Sequence, residues 1–349
     1  MWNVIGQPRA VELLRHSLDR GRIAHAYLFA GQPHVGKTTL AINLAQAMNC
    51  EQEARPCGQC GACLRIAAGK HADVQVIGRL SDNSSGEAGP RKEIGIGQIR
   101  ELQQAAVLQP YEGKHRVFII DGAEYLNEES ANCLLKTLEE PPPSVLIILL
   151  AANDARLLPT IISRCQRVEL HPVSVNTIEQ ELIEHRLIEP DKAKTLSRLC
   201  RGGIGWAISA SLDDSLLQER SLRLNELQEI AAVSLDRRFD FANKLASQFN
   251  RNRDSAEEVL RLWLEWWRDL MLVREGCAEL ITNVDQEAAL VRNSEYYSLS
   301  EIRHFIEAIR AALGQLEQNA NPRLVLEVLM LSTPNREEER VKRPGAEVR

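Results

Sequence analysis

The sequence predicts a five-stranded, doubly wound parallel α/β domain followed by helical domains, and three observations carry that expectation. Five short runs that read as strands alternate with segments of helical periodicity up to about residue 171. The first run leads directly into Gly31-Gln32-Pro33-His34-Val35-Gly36-Lys37-Thr38, which fits the phosphate-binding pattern G-x-x-x-x-G-K-[ST]. Beyond Pro172 the apolar residues recur at helical spacing.

At 349 residues the chain has room for two or three domains. Forty-eight acidic against forty-two basic side chains leave a net charge of -6, which argues against a protein that coats nucleic acid by itself. Any DNA contact is expected to be local. No apolar run reaches membrane-spanning length, and Met1-Trp2-Asn3-Val4 does not open a signal peptide, so no membrane partner and a cytoplasmic location are expected.

Along the chain, Ala10, Leu13, Leu14 and Leu18 mark one amphipathic helix that ends near Gly21. Ala26 to Ala30 reads as a buried strand, and the loop that follows it opens a helix running to about Met48. Backbone amides at Gly31 to Gly36 and the positive helix end suit phosphate oxygens; Lys37 suits the terminal phosphates of ATP, and Thr38 suits Mg²⁺. Cys50, Cys57, Cys60 and Cys63 come next, with Gly58 and Gly61 between them as expected tight turns. Four thiolates so clustered in a reducing compartment suit a closed tetrahedral Zn²⁺ site with a structural role. Buried free thiols and an iron–sulfur cluster are the alternatives.

Val74 to Ile77 is a short strand, Ser81 to Arg91 a mobile polar loop, and Ile96 to Leu108 a helix. Val117-Phe118-Ile119-Ile120-Asp121 then ends a strand on a carboxylate with Glu124 three positions later, as in a Walker B segment. There Asp121 holds Mg²⁺ and Glu124 polarises water; the alternative is an acidic turn after a buried strand. Glu128 to Leu138 is a helix stopped before Pro141-Pro142-Pro143. Val145 to Leu150 is a buried strand, and Asn153 beyond it either bonds a γ-phosphate or its water or caps the next helix. Gln166 to Leu170 is the last strand, with Leu158 to Cys165 before it. Short helices at Val175 to His185 and Ala193 to Leu199 lead into Gly202-Gly203-Ile204-Gly205-Trp206, as a small lid. Later stripes such as Val259, Leu260, Trp263, Trp267 and Leu270, or Ile302, Phe305, Ile306 and Ile309, read as core or subunit contact. The expected division is 1–171, with a zinc module at about 50–63, a lid at 172–212, a helical domain at 213–333 and a charged, disordered tail at 334–349.

Several runs make the chain resemble the delta-prime family of bacterial DNA polymerase III clamp-loader subunits, AAA+ proteins of three domains. They are Ile5-Gly6-Gln7, His25-Ala26-Tyr27-Leu28-Phe29 into the loop, the four-cysteine insertion, Ala131-Asn132-Cys133-Leu134-Leu135-Lys136-Thr137-Leu138-Glu139-Glu140-Pro141-Pro142, Ser163-Arg164-Cys165, and Asn319-Ala320-Asn321-Pro322-Arg323-Leu324. The likeness covers almost the whole length. It implies that the C-terminal domain joins a collar, and that the chain works in a hetero-oligomer with gamma/tau motor subunits and a delta subunit. That machine loads a sliding clamp onto primed DNA, with DNA contact by this chain indirect. It further implies that Arg164 is an arginine finger acting in trans, that Asn153 is a sensor, and that Ile5 and Thr39 join Gly31, His34, Val35, Gly36, Lys37, Thr38 and Asp121 around nucleotide. The alternative for Arg164 is a surface ion pair.

Two residues depart from the family pattern. His34 stands where these loops usually carry glycine, although His enters the left-handed region more readily than most residues. Gly205 stands where the motor subunits carry the second sensor arginine, so nucleotide binding with weak or no hydrolysis is expected. The rival readings are a gamma/tau-type motor ATPase, which would use Glu124, and a stand-alone AAA+ ATPase acting on DNA repair intermediates.

Overall fold

The computed structural model describes residues 2–79 and 93–334; the polar stretch Ser81–Arg91 and the tail from residue 335 lie outside the described residues. The chain divides into two compact units, Met1–Leu187 with Cys200–Ile208, and Ile188–Leu199 with Ser209–Arg349.

In the first unit β1 (Ala26–Ala30), β2 (Val74–Ile77), β3 (Arg116–Asp121), β4 (Val145–Ala151) and β5 (Gln166–Glu169) form one parallel sheet in the order β2-β3-β4-β1-β5. Every residue of β1 and β4 is buried, because both are central and covered on both faces. That coverage is why they are continuous apolar runs. On one face α1 (Pro8–Asp19), α2 (Lys37–Asn49) and the short α3 (Gly61–Ala67) bring Leu14, Leu40, Leu44 and Ile66 onto Tyr27, Phe29, Ile119 and Ile148. On the other, α4 (Ile96–Val107) and α5 (Glu128–Glu139) bring Ile99, Leu102, Leu134 and Leu138 onto Leu28, Phe118, Ile120 and Ile147. Each such fully buried side chain contributes about 1.5–3 kcal/mol of apolar burial.

Helix ends follow from sequence. Asn127 caps α5 by accepting from the Ser130 amide, and the proline run after Glu140 prevents continuation. Gly61 does not form the expected tight turn; it opens α3 after Cys60, while Gly58, at φ 75°, makes the left-handed turn. A four-residue helix, α6 (Pro159–Ile162), precedes β5. Beyond the sheet, Ser174 caps α7 (Val175–Glu184).

The second unit takes α8 (Pro190–Leu199), while α9 (Ile204–Leu212) starts within the first. Its bulk is α10 (Ser215–Ile230), α11 (Leu235–Arg251), α12 (Arg253–Arg274), α13 (Glu287–Ser294), α14 (Leu299–Glu317) and α15 (Pro322–Leu331). Trp263 and Trp267 of α12 lie edge-on to Phe305 of α14, each pair of ring centroids 4.8 Å apart. The Asn319-Ala320-Asn321-Pro322 run is the turn between α14 and α15. Asn319 takes φ 60°, Asn321 accepts from the Arg323 and Leu324 amides, and Pro322 fills the first helical position. No described helix is long and apolar enough to cross a membrane.

Candidate functional site

Strand order decides what meets at the carboxyl edge of the sheet. β1 lies beside β4 with Ala30 opposite Ala151, and β3 lies on the other side of β4 with Asp121 opposite Leu150. The glycine loop after β1, Asn153 after β4, and Asp121 with Glu124 after β3 therefore lie at adjoining strand ends.

Within the loop Val35 is buried and His34, Thr38 and Thr39 are exposed. His34 takes φ 64°, the left-handed conformation that a glycine adopts more cheaply, and Gly36 at φ 102° opens α2. Lys37 Nζ donates to the carbonyls of Gly31 at 2.6 Å and Gln32 at 2.8 Å. Burial lowers the Lys37 pKa, while the charges of Glu124 and Asp121 raise it in part. These three groups therefore share one field. Glu124 accepts from the Ala152 amide at 2.8 Å, tying the ends of β3 and β4. Asn153 accepts from the Ala155 amide at 3.1 Å and caps the turn Asp154–Arg156.

Two contacts set the segment 201–205 on the loop. The Gly205 amide donates to the His34 carbonyl at 2.9 Å, and Gln32 Nε2 donates to the Arg201 carbonyl at 2.7 Å. Ile5 is half-buried, and Gln7 beyond it is a strut that sequence reasoning missed. Gln7 Nε2 donates to the carbonyls of His171 at 2.6 Å and Val35 at 3.4 Å, and its Oε1 accepts from the His171 amide at 3.2 Å. Its place in the Ile5-Gly6-Gln7 run was the available signal.

The sulfur atoms of Cys50, Cys57, Cys60 and Cys63 all lie within 4.8 Å of one another. Tetrahedral bonds of about 2.3 Å put sulfurs about 3.8 Å apart, so this donor set fits a four-coordinate ion such as zinc. Amides of Gln59 and Cys60 donate to Cys57 Sγ and push that thiol down to about 6. Burial pushes Cys63 up to about 12, so a thiolate there calls for a cation beside it.

Arg164 stands on the turn between α6 and β5. Its Nη2 lies 2.7 Å from Glu139, its Nη1 donates to the Thr160 carbonyl at 3.0 Å, and its side chain is 35% exposed. The alternative foreseen for it, a surface ion pair, is thus present. A half-exposed pair also leaves the guanidinium open to a stronger partner.

Family comparisons agree across both units. A model described as "DNA polymerase III, delta subunit" matches residues 6–174, and one described as "DNA polymerase III, delta subunit, C terminal" matches residues 216–333. The DNA polymerase III subunit delta' of Bacillus subtilis is 29% identical over 93% of this chain and 95% of its own length. The subunit tau of Escherichia coli is 35% identical over 67% of this chain, which spans only 37% of that protein. A gamma subunit-related protein of Thermotoga maritima superposes with a TM-score of 0.41 at 17% identity, covering 93% of this chain and 99% of that one.

Proposed function

The chain belongs to the DNA polymerase III delta-subunit family, with delta-prime, gamma and tau subunits among its relatives, and from that premise we propose that it is the delta-prime-type subunit of a clamp loader. In this reading it helps place a sliding clamp on primed DNA and contributes catalysis to a neighbour rather than turning over nucleotide itself. Its partners are gamma/tau motor subunits and a delta subunit in a cytoplasmic hetero-oligomer, assembled through the helical C-terminal unit. The clamp and primed DNA are met through the complex.

The observation that carries the reading is the main chain of Gly205 lying on the loop through the His34 carbonyl, with no side chain to reach the phosphates. Lys37, Thr38 and Asp121 are the residues that would hold ATP with Mg²⁺, and the metal would neutralise phosphate charge there. Glu124 is committed to the Ala152 amide, and the cation that a second sensor supplies is missing from Gly205. Arg164, by contrast, is 35% exposed, and a guanidinium directed at the γ-phosphate on a neighbouring subunit stabilises charge that develops only during transfer. The four cysteines would hold a structural zinc, which the mutual approach of their sulfurs within 4.8 Å fits.

The presence of Lys37, Thr38, Asp121 and Glu124 favours a second reading, a gamma/tau-type motor subunit. ATPase assays separate the two. The isolated chain is expected to show negligible turnover, and Arg164→Ala to lower turnover at the neighbouring ATP site by roughly 10³-fold, removing much of the ATPase of a reconstituted loader while the complex still assembles. Robust turnover by the isolated chain establishes the motor reading instead.

A further inference from the structure

We propose that Glu139 is a positioning residue for Arg164, an inference that rests on Arg164 acting as the finger. α5 reaches its last residue at Glu139 because Pro141-Pro142-Pro143 follows, so the carboxylate stands at a helix end whose position is set by Leu134 and Leu138, 0% and 2% exposed against the sheet. The turn bearing Arg164 is anchored in the same core. Ile161 is fully buried there, and Leu158, Ile162 and Cys165 pack against the cluster that holds Leu134 and Leu138. One core therefore fixes both backbones, and the pair does not depend on two free side chains finding each other.

The guanidinium is held at two places. Glu139 Oε1 lies 2.7 Å from Nη2, and Nη1 donates to the Thr160 carbonyl at 3.0 Å, with Ser163 Oγ at 3.4 Å. Ser163 Oγ itself donates to the Thr160 carbonyl at 3.1 Å, which keeps the turn closed. With side chains 35% and 49% exposed, this pair adds little to stability. What it does is narrow the rotamers of a long side chain before the complex forms, so less freedom remains to be lost when a phosphate is met. A phosphate offers charge-assisted bidentate bonding and displaces the carboxylate. Glu139 thus orients the finger without retaining it.

The test uses the complete loader, reconstituted with its motor subunits, clamp and primed DNA. Glu139→Ala is expected to lower kcat at the neighbouring ATP site about tenfold with KM unchanged, because a displaced finger weakens the transition state and not substrate binding. Glu139→Gln, which keeps an acceptor of the same shape, restores most of the rate. In an Arg164→Ala background Glu139→Ala has no further effect. If the alanine variant fails to assemble, Glu139→Asp, which keeps the charge but retracts it by one carbon, must lower kcat severalfold. A wild-type kcat for Glu139→Ala or, in that case, for Glu139→Asp overturns the proposal, as does a loss that adds to that of Arg164→Ala. A wild-type kcat for Arg164→Ala overturns the finger reading itself.

Discussion

Asp73 is fully buried yet ionised, because its surroundings were built around the charge. Burial alone raises its pKa, but the amides of Tyr111, Glu112 and Gly113, at 2.7–2.8 Å, and the Arg116 guanidinium, at 3.0 Å, outweigh that and hold it at about 2. The unfolded value is about 3.9, so this stability is fully present above that pH and is lost as the pH falls through about 2. Asp73→Ala leaves Arg116 buried without its counter-charge and should destabilise by about 3 kcal/mol at neutral pH. Denaturant unfolding of mutant and wild type checks this, and the gap should narrow below pH 4 or so. None of this was legible in the sequence, since the partners of Asp73 lie 38 to 43 positions away. Lys37, Asp121 and the cysteines could be singled out as candidates, because each belongs to a pattern of residues close in the chain, and the four cysteine sulfurs do lie together.

Secondary elements follow the same rule. The three central strands β1, β3 and β4 could be read because burial on both faces turns a strand into an unbroken apolar run, whereas the edge strands β2 and β5 stay largely exposed and mix apolar with polar residues. The seven residues of α3 and the four of α6 could not, as each is too short to show a helical period and each begins at a glycine or proline. From sequence Gly205 stands in place of an arginine, and its contact with the loop adds a second constraint. A Cβ there would stand 3.2 Å from the His34 carbonyl oxygen, tighter than ordinary contact. Gly205→Arg is therefore expected to displace the start of α9 and leave the isolated chain without ATPase, measured as phosphate release; restored turnover would refute this. The cysteine module makes its own prediction. Metal analysis should find about one zinc per chain, Cys60→Ser should lose it, and chelation should lower the melting temperature.

At the scale of the whole molecule the chain crosses between its two units more than once. α8 belongs with the C-terminal helices, where Arg198 donates to the Glu279 carbonyl at 3.0 Å and Lys192 pairs with Asp214 at 2.8 Å. A fragment of residues 188–334 should accordingly unfold at higher urea than one of residues 213–334, which lacks α8; equal midpoints would show that α8 adds nothing. The two units also differ in how they interact with light. Trp263, Trp266 and Trp267 are at most 3% exposed in α12, whereas Trp2 and Trp206 are the indoles of the first unit. Blue-shifted emission will thus come mainly from the C-terminal unit. Trp206, beside Gly205, gives the first unit an intrinsic fluorophore next to the residue that touches the glycine loop.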